Sequence, residues 1–265
     1  MADVFDEKIC IVTGGTSGIG FAVSEALLKR GAVVYVVGIP DKSVHDAQER
    51  LATYKKARYA VVDVTNYDAV RKMVDDAVAE FGRLDYMFNN AGLGATIRFE
   101  KVTLEMWKKI IDVNLWGVIY GVHAAFPVMA KQGSGHIVNT SSIAGLIAPP
   151  YQAVYCASKF AVTGMTEALR YEHEHLGIAF STVCPGNVAT GIFGDLKPPE
   201  DAISADEAAE IILEGVEKKE GLIIFPEHLK QTYLAWRADQ KKMDALMKDM
   251  AETRRKAYET GGNYY

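Results

Sequence analysis

Short, continuously apolar runs rich in β-branched residues recur along the chain, each followed by a longer stretch with apolar residues at helical spacing. Runs at 9–13, 33–37, 59–62, 86–89, 136–140, 178–184 and 222–225 predict seven strands. The intervening spacing predicts helices over 18–30, 44–56, 67–81, 103–132, 153–175 and 206–218. None of the strand runs alternates polar with apolar, which is the pattern of parallel strands covered on both faces. Strand and helix in strict alternation then imply an α/β fold, a doubly wound open parallel sheet with right-handed crossovers.

No repeat or low-complexity linker divides this pattern, so residues 1–265 are expected to form a single domain. The stretch 190–205, with Phe193, Gly194, Pro198, Pro199 and Asp201, is irregular and predicts a loop flanking a site. From 227 the chain is highly charged, yet Trp236, Met243, Leu246, Met247 and Met250 recur at helical spacing. That predicts an amphipathic helical extension over 227–265, packed on its own core or on a neighbouring subunit.

Composition narrows the function. Twenty-nine Lys and Arg against 34 Asp and Glu give a net charge of −5, with 49% apolar and 24% charged residues. That balance excludes a mainly disordered chain and offers no basic excess for a nucleic-acid backbone. Cys10, Cys156 and Cys184 are widely separated and form no CxxC pair, so neither a disulfide scaffold nor a metal site is expected, and the cytoplasm is the expected compartment. Residues 1–7 hold three acids, unlike a signal peptide, and the apolar runs 33–37 and 117–122 fall short of the ~20 residues of a spanning helix. No membrane partner is expected.

Two constellations carry chemistry. The first strand runs straight into Gly14-Gly15-Thr16-Ser17-Gly18-Ile19-Gly20, where a helix begins. Glycines allow a sharp turn and close backbone approach, and helix N–H groups with the helix dipole attract a pyrophosphate. The turn lacks the Gly-Lys-Ser/Thr ending of an ATP or GTP loop. Tyr155 and Lys159, four apart, share one helix face, where a nearby ammonium favours tyrosinate and fits Tyr155 for proton transfer. Thirteen residues before Tyr155, Ser142 follows the strand 136–140, at the carboxyl end where open α/β sheets hold ligands. Ser141 is its rival.

Together these motifs resemble the short-chain dehydrogenases/reductases over about residues 8–190. The resemblance rests on Thr13-Gly14-xxx-Gly18-x-Gly20, Asp63-Val64 closing the third strand, Asn89-Asn90-Ala91-Gly92 closing the fourth, and Ser142 with Tyr155-Cys156-Ala157-Ser158-Lys159. It implies a Rossmann-type fold and an NAD(P)-dependent oxidoreductase that interconverts a secondary alcohol and a ketone. In that reading Tyr155 exchanges the proton, Lys159 lowers the Tyr155 pKa and holds the nicotinamide ribose, and Ser142 binds the substrate oxygen. Asn114 anchors a water that relays protons from Lys159. The cofactor side comprises Gly14, Thr16, Ser17, Gly18, Ile19 and Gly20, then Asp63 and Val64 at the adenine, and Asn90, Ala91 and Gly92. Pro185-Gly186-Asn187-Val188-Ala189-Thr190 resembles the family's PGxVxT turn, so Pro185, Gly186, Val188 and Thr190 are expected at the nicotinamide.

At the end of the second strand Gly38 and Ile39 stand where the family reads the adenosine ribose with Asp or Arg, followed by Pro40-Asp41-Lys42. Ser17 is neutral, and the choice between NAD and NADP stays open, with NAD the first expectation. Ala144, Leu146, Ile147, Ala148, Pro149, Pro150, Tyr151 and Gln152, with Ile192, Phe193 and Leu196, flank the family's substrate pocket. Their bias suggests a hydrophobic small molecule such as a steroid, an aryl or alkyl ketone, or an acyl chain. The family's habit of packing the Asn114 and Tyr155 helices across a subunit boundary implies a homodimer or homotetramer, and Trp116, Tyr120, His123 and Phe126 give the first of these helices apolar cover on several faces. The alternatives are a non-catalytic nucleotide-sensing or scaffold protein on the same fold, and an epimerase or dehydratase of the extended relatives.

Overall fold

A computed structural model describes residues 3–194 and 197–260. Seven parallel strands, β1 (Ile9–Thr13), β2 (Val33–Gly38), β3 (Ala57–Val61), β4 (Tyr86–Asn89), β5 (Gly135–Thr140), β6 (Ile178–Pro185) and β9 (Leu222–Phe225), form one sheet in the order β3-β2-β1-β4-β5-β6-β9. A parallel pair, β7 (Val188–Ala189) and β8 (Ile203–Ser204), closes the base of the loop between them. Successive residues of a strand face opposite ways. Cys10 and Val12 of β1 accordingly join the core under α1 (Gly18–Lys29) and α7 (Ala205–Glu217), while Ile9 and Ile11 join the core under α3 (Tyr67–Phe81), α5 (Gly117–Gln132) and α6 (Ala153–His173). Both faces of the central strands are dry, which is why they read as largely unbroken apolar runs. This is a one-domain, Rossmann-like α/β fold.

The chain leaves β1 toward β2 and β3, then returns at β4 to the other side of β1. The two strand-end turns diverge there and open a crevice at the carboxyl edge.

Three departures from the periodicity have local causes. Helix α2 (Asp41–Arg50) starts three residues earlier than the spacing predicts, because Pro40 supplies an extended N-cap and Asp41 an acid in the first turn. Strand β3 starts at Ala57 because it pairs with β2 from Val34 onward. The expected helix 103–132 is α4 (Leu104–Ile111), one π-helical turn (Asp112–Trp116) and α5. That run, Leu104–Gln132, is long and apolar enough to cross a membrane. Here Val118, Val122, Ala125 and Met129 are core residues of the domain.

The extension folds as α8 (Glu227–Ala238) and α9 (Gln240–Glu259). Tyr233, Trp236 and Met247 pack against Leu146, Ile147 and Cys184 at the sheet end. Leu196 and the side chain of Met243 lie outside the described residues.

Candidate active site

The end of β1 builds the first wall of the crevice. Gly14 has φ +64°, and a Cβ there would stand 2.9 Å from Cα of Ala91, so glycine alone lets the turn meet the end of β4. Gly18, at φ +53°, lies against Thr190, to which a Cβ would come within 3.2 Å. Ser17 is the N-cap of α1 in extended conformation without a side-chain cap, and the first turn holds no acid. The positive end of α1 is therefore uncompensated and faces the crevice, an arrangement suited to an anion. Gly20 packs under Gly14, and Thr16 turns away to fill the space a side chain at Gly38 would need, its Oγ1 only 2.6 Å from that Cβ position.

Thr13 ties the turn to β4. Its Oγ1 accepts from the backbone N–H of Asn90 at 3.0 Å and of Ala91 at 3.2 Å, and the Asn90 amide donates to the Thr13 carbonyl at 3.2 Å. The Asn90 side chain thus braces two strand ends and also borders the crevice.

The second wall comes from β5, the π-turn and α6. Lys159 is 3% exposed; burial lowers its pKa to about 8. Its Nζ donates to the Thr140 carbonyl at 2.8 Å and stands 5.7 Å from the ring centroid of half-buried Tyr155. The wide turn at Asp112–Trp116 brings Asn114 fully inside, where Oδ1 accepts from Leu93 N–H at 2.7 Å and Nδ2 donates to the Leu93 carbonyl at 2.9 Å. Asn114 thereby holds the strand end carrying Gly92. The ideal Cβ position of Gly92 lies 3.4 Å from Asn114 Oδ1 and 3.5 Å from Lys159 Nζ, so both atoms border one spot. Ser142 Oγ accepts from Ala144 N–H at 3.1 Å and donates to the Pro185 carbonyl across a long 3.4 Å.

These walls enclose a cleft of about 620 Å³. Gly14, Ser17, Gly18 and Ile19 line it on one side, Asn90, Ala91 and Gly92 at its floor, and Tyr155, Lys159, Pro185 and Thr190 on the other. Ser142 and Asn114 stand just behind the lining. Asp63 is exposed at the end of β3, its Oδ1 accepting from the N–H and hydroxyl of Thr65; Val64 is buried against Gly117. Gly38, Ile39, Gly186 and Val188 are not on the cleft wall either: Ile39 is exposed, Gly186 faces Leu229 of α8, and Val188 is buried in the β7–β8 pair.

Leu93, Met106, Lys109, Ile110, Ser141 and Ile192 line the cleft as well. Of these only Ser141, as the rival of Ser142, and Ile192 stood out in the sequence. The α4 residues Met106 and Ile110, four apart on one helix face, carry a spacing signal that also reads as ordinary core. Leu146 and Ile147, expected beside the substrate, pack instead under the extension, and Phe193 is buried.

The model of the short chain dehydrogenase family matches residues 8–201. An uncharacterized oxidoreductase of Staphylococcus saprophyticus is 34% identical over 191 residues, 71% of this chain and 82% of that protein. A protein of Eggerthella lenta named 3beta-hydroxysteroid dehydrogenase 2 is 34% identical over 197 residues, 73% of this chain and 76% of its own. Among solved structures, a short chain dehydrogenase/reductase from Burkholderia phymatum in complex with NAD superposes with a TM-score of 0.77 at 25% identity, covering 98% of this chain and 96% of that one.

Proposed function

This chain belongs to the short-chain dehydrogenase family of oxidoreductases, and we propose that it interconverts a secondary alcohol and a ketone with a nicotinamide dinucleotide, Tyr155 exchanging the proton. The observation that carries this reading is the buried ammonium of Lys159 beside Tyr155 on the wall of a cleft whose opposite wall is an anion-binding glycine turn. A nucleotide sensor needs the turn but not a cation buried at this cost.

The dinucleotide, when bound, supplies or accepts the hydride. The uncompensated N-terminus of α1 with Gly14, Thr16, Ser17, Gly18, Ile19 and Gly20 suits its pyrophosphate. Asp63 and Val64 are assigned to the adenine side, and Asn90, Ala91 and Gly92 to the ribose side. Pro185, Gly186, Val188 and Thr190 are assigned to the carboxamide.

In reduction the Tyr155 hydroxyl protonates the carbonyl oxygen, and in oxidation its phenolate takes the proton back. The positive charge of Lys159 favours the phenolate. Ser142 donates to the same substrate oxygen, giving up a weak 3.4 Å bond to Pro185. A water over Gly92 is within reach of both Asn114 Oδ1 and Lys159 Nζ and returns protons to the site.

The cofactor is assigned as NAD rather than NADP, because Lys42 is engaged by Asp46 at 2.6 Å whereas Asp41 is in no ion pair among the described residues. Leu93, Met106, Ile110 and Ile192 favour a hydrophobic substrate, in keeping with the name of the Eggerthella lenta relative. Trp116 and Phe160, 45% and 40% exposed near the Asn114 and Tyr155 helices, support a homodimer or homotetramer. Three free buried thiols accord with the cytoplasm.

The test is nicotinamide absorbance against a panel of secondary alcohols and ketones, steroids included, with NAD(H) and NADP(H) in parallel. Tyr155→Phe is expected to lower turnover by about 10²–10⁴-fold, the worth of a positioned acid, with nucleotide affinity within a few fold of wild type. A variant that keeps the wild-type rate removes Tyr155 from the chemistry.

A further inference from the structure

The four carbonyls that lead into α6 are each held by a donor outside the segment 149–152. Pro149 accepts from the Cys156 thiol at 3.9 Å, Tyr151 from the Ile97 N–H at 2.8 Å, and Gln152 from the Cys156 N–H at 2.7 Å. The Pro150 carbonyl accepts from Nη1 of Arg254, 104 residues further along, in α9. Two of the four residues are prolines with no N–H to offer, so the segment has little capacity to hold itself. Tyr151 moreover sits at φ +67°, a left-handed conformation that persists in a non-glycine residue only where its surroundings hold it.

Arg254 is no ordinary surface cation. It is 8% exposed, on a helix whose other charged residues with described side chains are mostly exposed, and a guanidinium at that depth must be matched by acceptors. Burial pushes the Cys156 thiol up to about 11, and the nearby Arg254 charge opposes that shift. The extension also grips the other end of the same stretch, through Tyr233, Trp236 and Met247 on Leu146 and Ile147. Tyr155 is the third residue of α6, where backbone N–H groups have no partners earlier in the helix, so the preceding segment sets its height in the cleft.

We propose that Arg254 is a positioning residue: by pinning the Pro150 carbonyl it fixes segment 149–152 and so holds Tyr155 at its place in the cleft, making the C-terminal extension part of the active-site architecture. The consequence for turnover rests on the reading of Tyr155 given above; the clamp itself does not.

Arg254→Met keeps the stem and loses the donors, whereas Arg254→Lys keeps the charge and a donor nitrogen at the end of a similar stem. In the full-length protein, hydrogen exchange at amides 151–157 is expected to accelerate about tenfold in Arg254→Met, with α1 and α3 unchanged, and to return to within about threefold of wild type in Arg254→Lys. On a substrate that wild type turns over, kcat falls about tenfold in Arg254→Met at unchanged nucleotide affinity, and Arg254→Lys restores most of it. Arg254→Leu, which likewise has no donor, gives the same comparison if Arg254→Met fails to fold. Unchanged exchange at 151–157 overturns the clamp, as does acceleration spread equally over α1 and α3. Lost protection with an unaltered kcat overturns the positioning role. Absence of any wild-type turnover fails the reading of Tyr155 instead, and the exchange measurement then decides the clamp alone.

Discussion

Replacing Lys159 with methionine should give a protein more stable than wild type at pH 7, by a margin that closes as the pH rises to 10. Burial lowers the Lys159 pKa from 10.5 to about 8. Between those values the unfolded chain keeps the proton that the folded chain has released, so wild-type stability rises with pH across the window. The rise is about 1.4 kcal/mol per pH unit inside the window, or about 2.5 kcal/mol from pH 7 to pH 10. Other groups titrate over the same range, and the difference between wild type and Lys159→Met removes them. At pH 10 the folded lysine is neutral and still donates to the Thr140 carbonyl, a bond worth about 1 kcal/mol that methionine lacks. The protonation cost to wild type is about 3.3 kcal/mol at pH 7 and about 0.8 kcal/mol at pH 10, where the unfolded lysine still holds most of its proton, so the variant is ahead by about 2.3 kcal/mol at pH 7 and level with wild type at pH 10. Urea unfolding of both ligand-free proteins at fixed ionic strength, from pH 7 to pH 10, measures this directly. A difference that stays within about 0.5 kcal/mol across the range would refute the desolvated ammonium on which the prediction depends. If this pH-dependent advantage appears in a variant that has also lost turnover, the lysine is kept for chemistry at a cost in stability.

Two further outcomes test the geometry of the crevice. Gly92→Ala puts a methyl at ordinary contact distance from Asn114 Oδ1 and Lys159 Nζ, so the melting temperature should hold or rise slightly. The methyl would take the place of the water proposed to relay protons there, and kcat should fall about tenfold with a changed solvent isotope effect; an unaltered kcat and isotope effect would remove the relay from this spot. Gly38→Asp should lose about 1–3 kcal/mol by collision with Thr16. Adding Thr16→Gly should restore the melting temperature and raise NAD preference over NADP about tenfold, through a carboxylate at the ribose. A single Gly38→Asp variant with wild-type melting would mean that Thr16 yields freely.

The central strands were legible because both of their faces are buried, which makes β1 and β2 apolar at nearly every position rather than at alternate ones. The glycine turn and the Tyr155–Lys159 pair were legible because each is local: a strand-to-helix turn and a four-residue helical step. The π-turn at Asn114 was not, since one widened turn leaves the hydrophobic spacing of a 29-residue helix almost unchanged. Leu146 and Ile147 were misplaced for a different reason. An apolar residue near a site faces either the ligand or a neighbouring element, and the element that claims them lies some 90 residues further along.

Arg254 is the extreme case of that rule. In the sequence it is one cation among many in a charged helix, with nothing in its spacing to separate it from Arg255 or Lys256, which form exposed ion pairs with Glu252. Only the fold distinguishes them, by burying Arg254 against a carbonyl that two prolines and a left-handed tyrosine leave dependent on outside donors. The groups proposed to perform the chemistry sit on strand ends and helix turns whose local sequence announces them. The groups that fix their height and tilt are drawn from wherever the chain returns, and for Tyr155 we propose that it returns in α9. A change in that extension, far from any motif, can therefore alter catalysis without touching a residue of the glycine turn or of the Ser142, Tyr155 and Lys159 set.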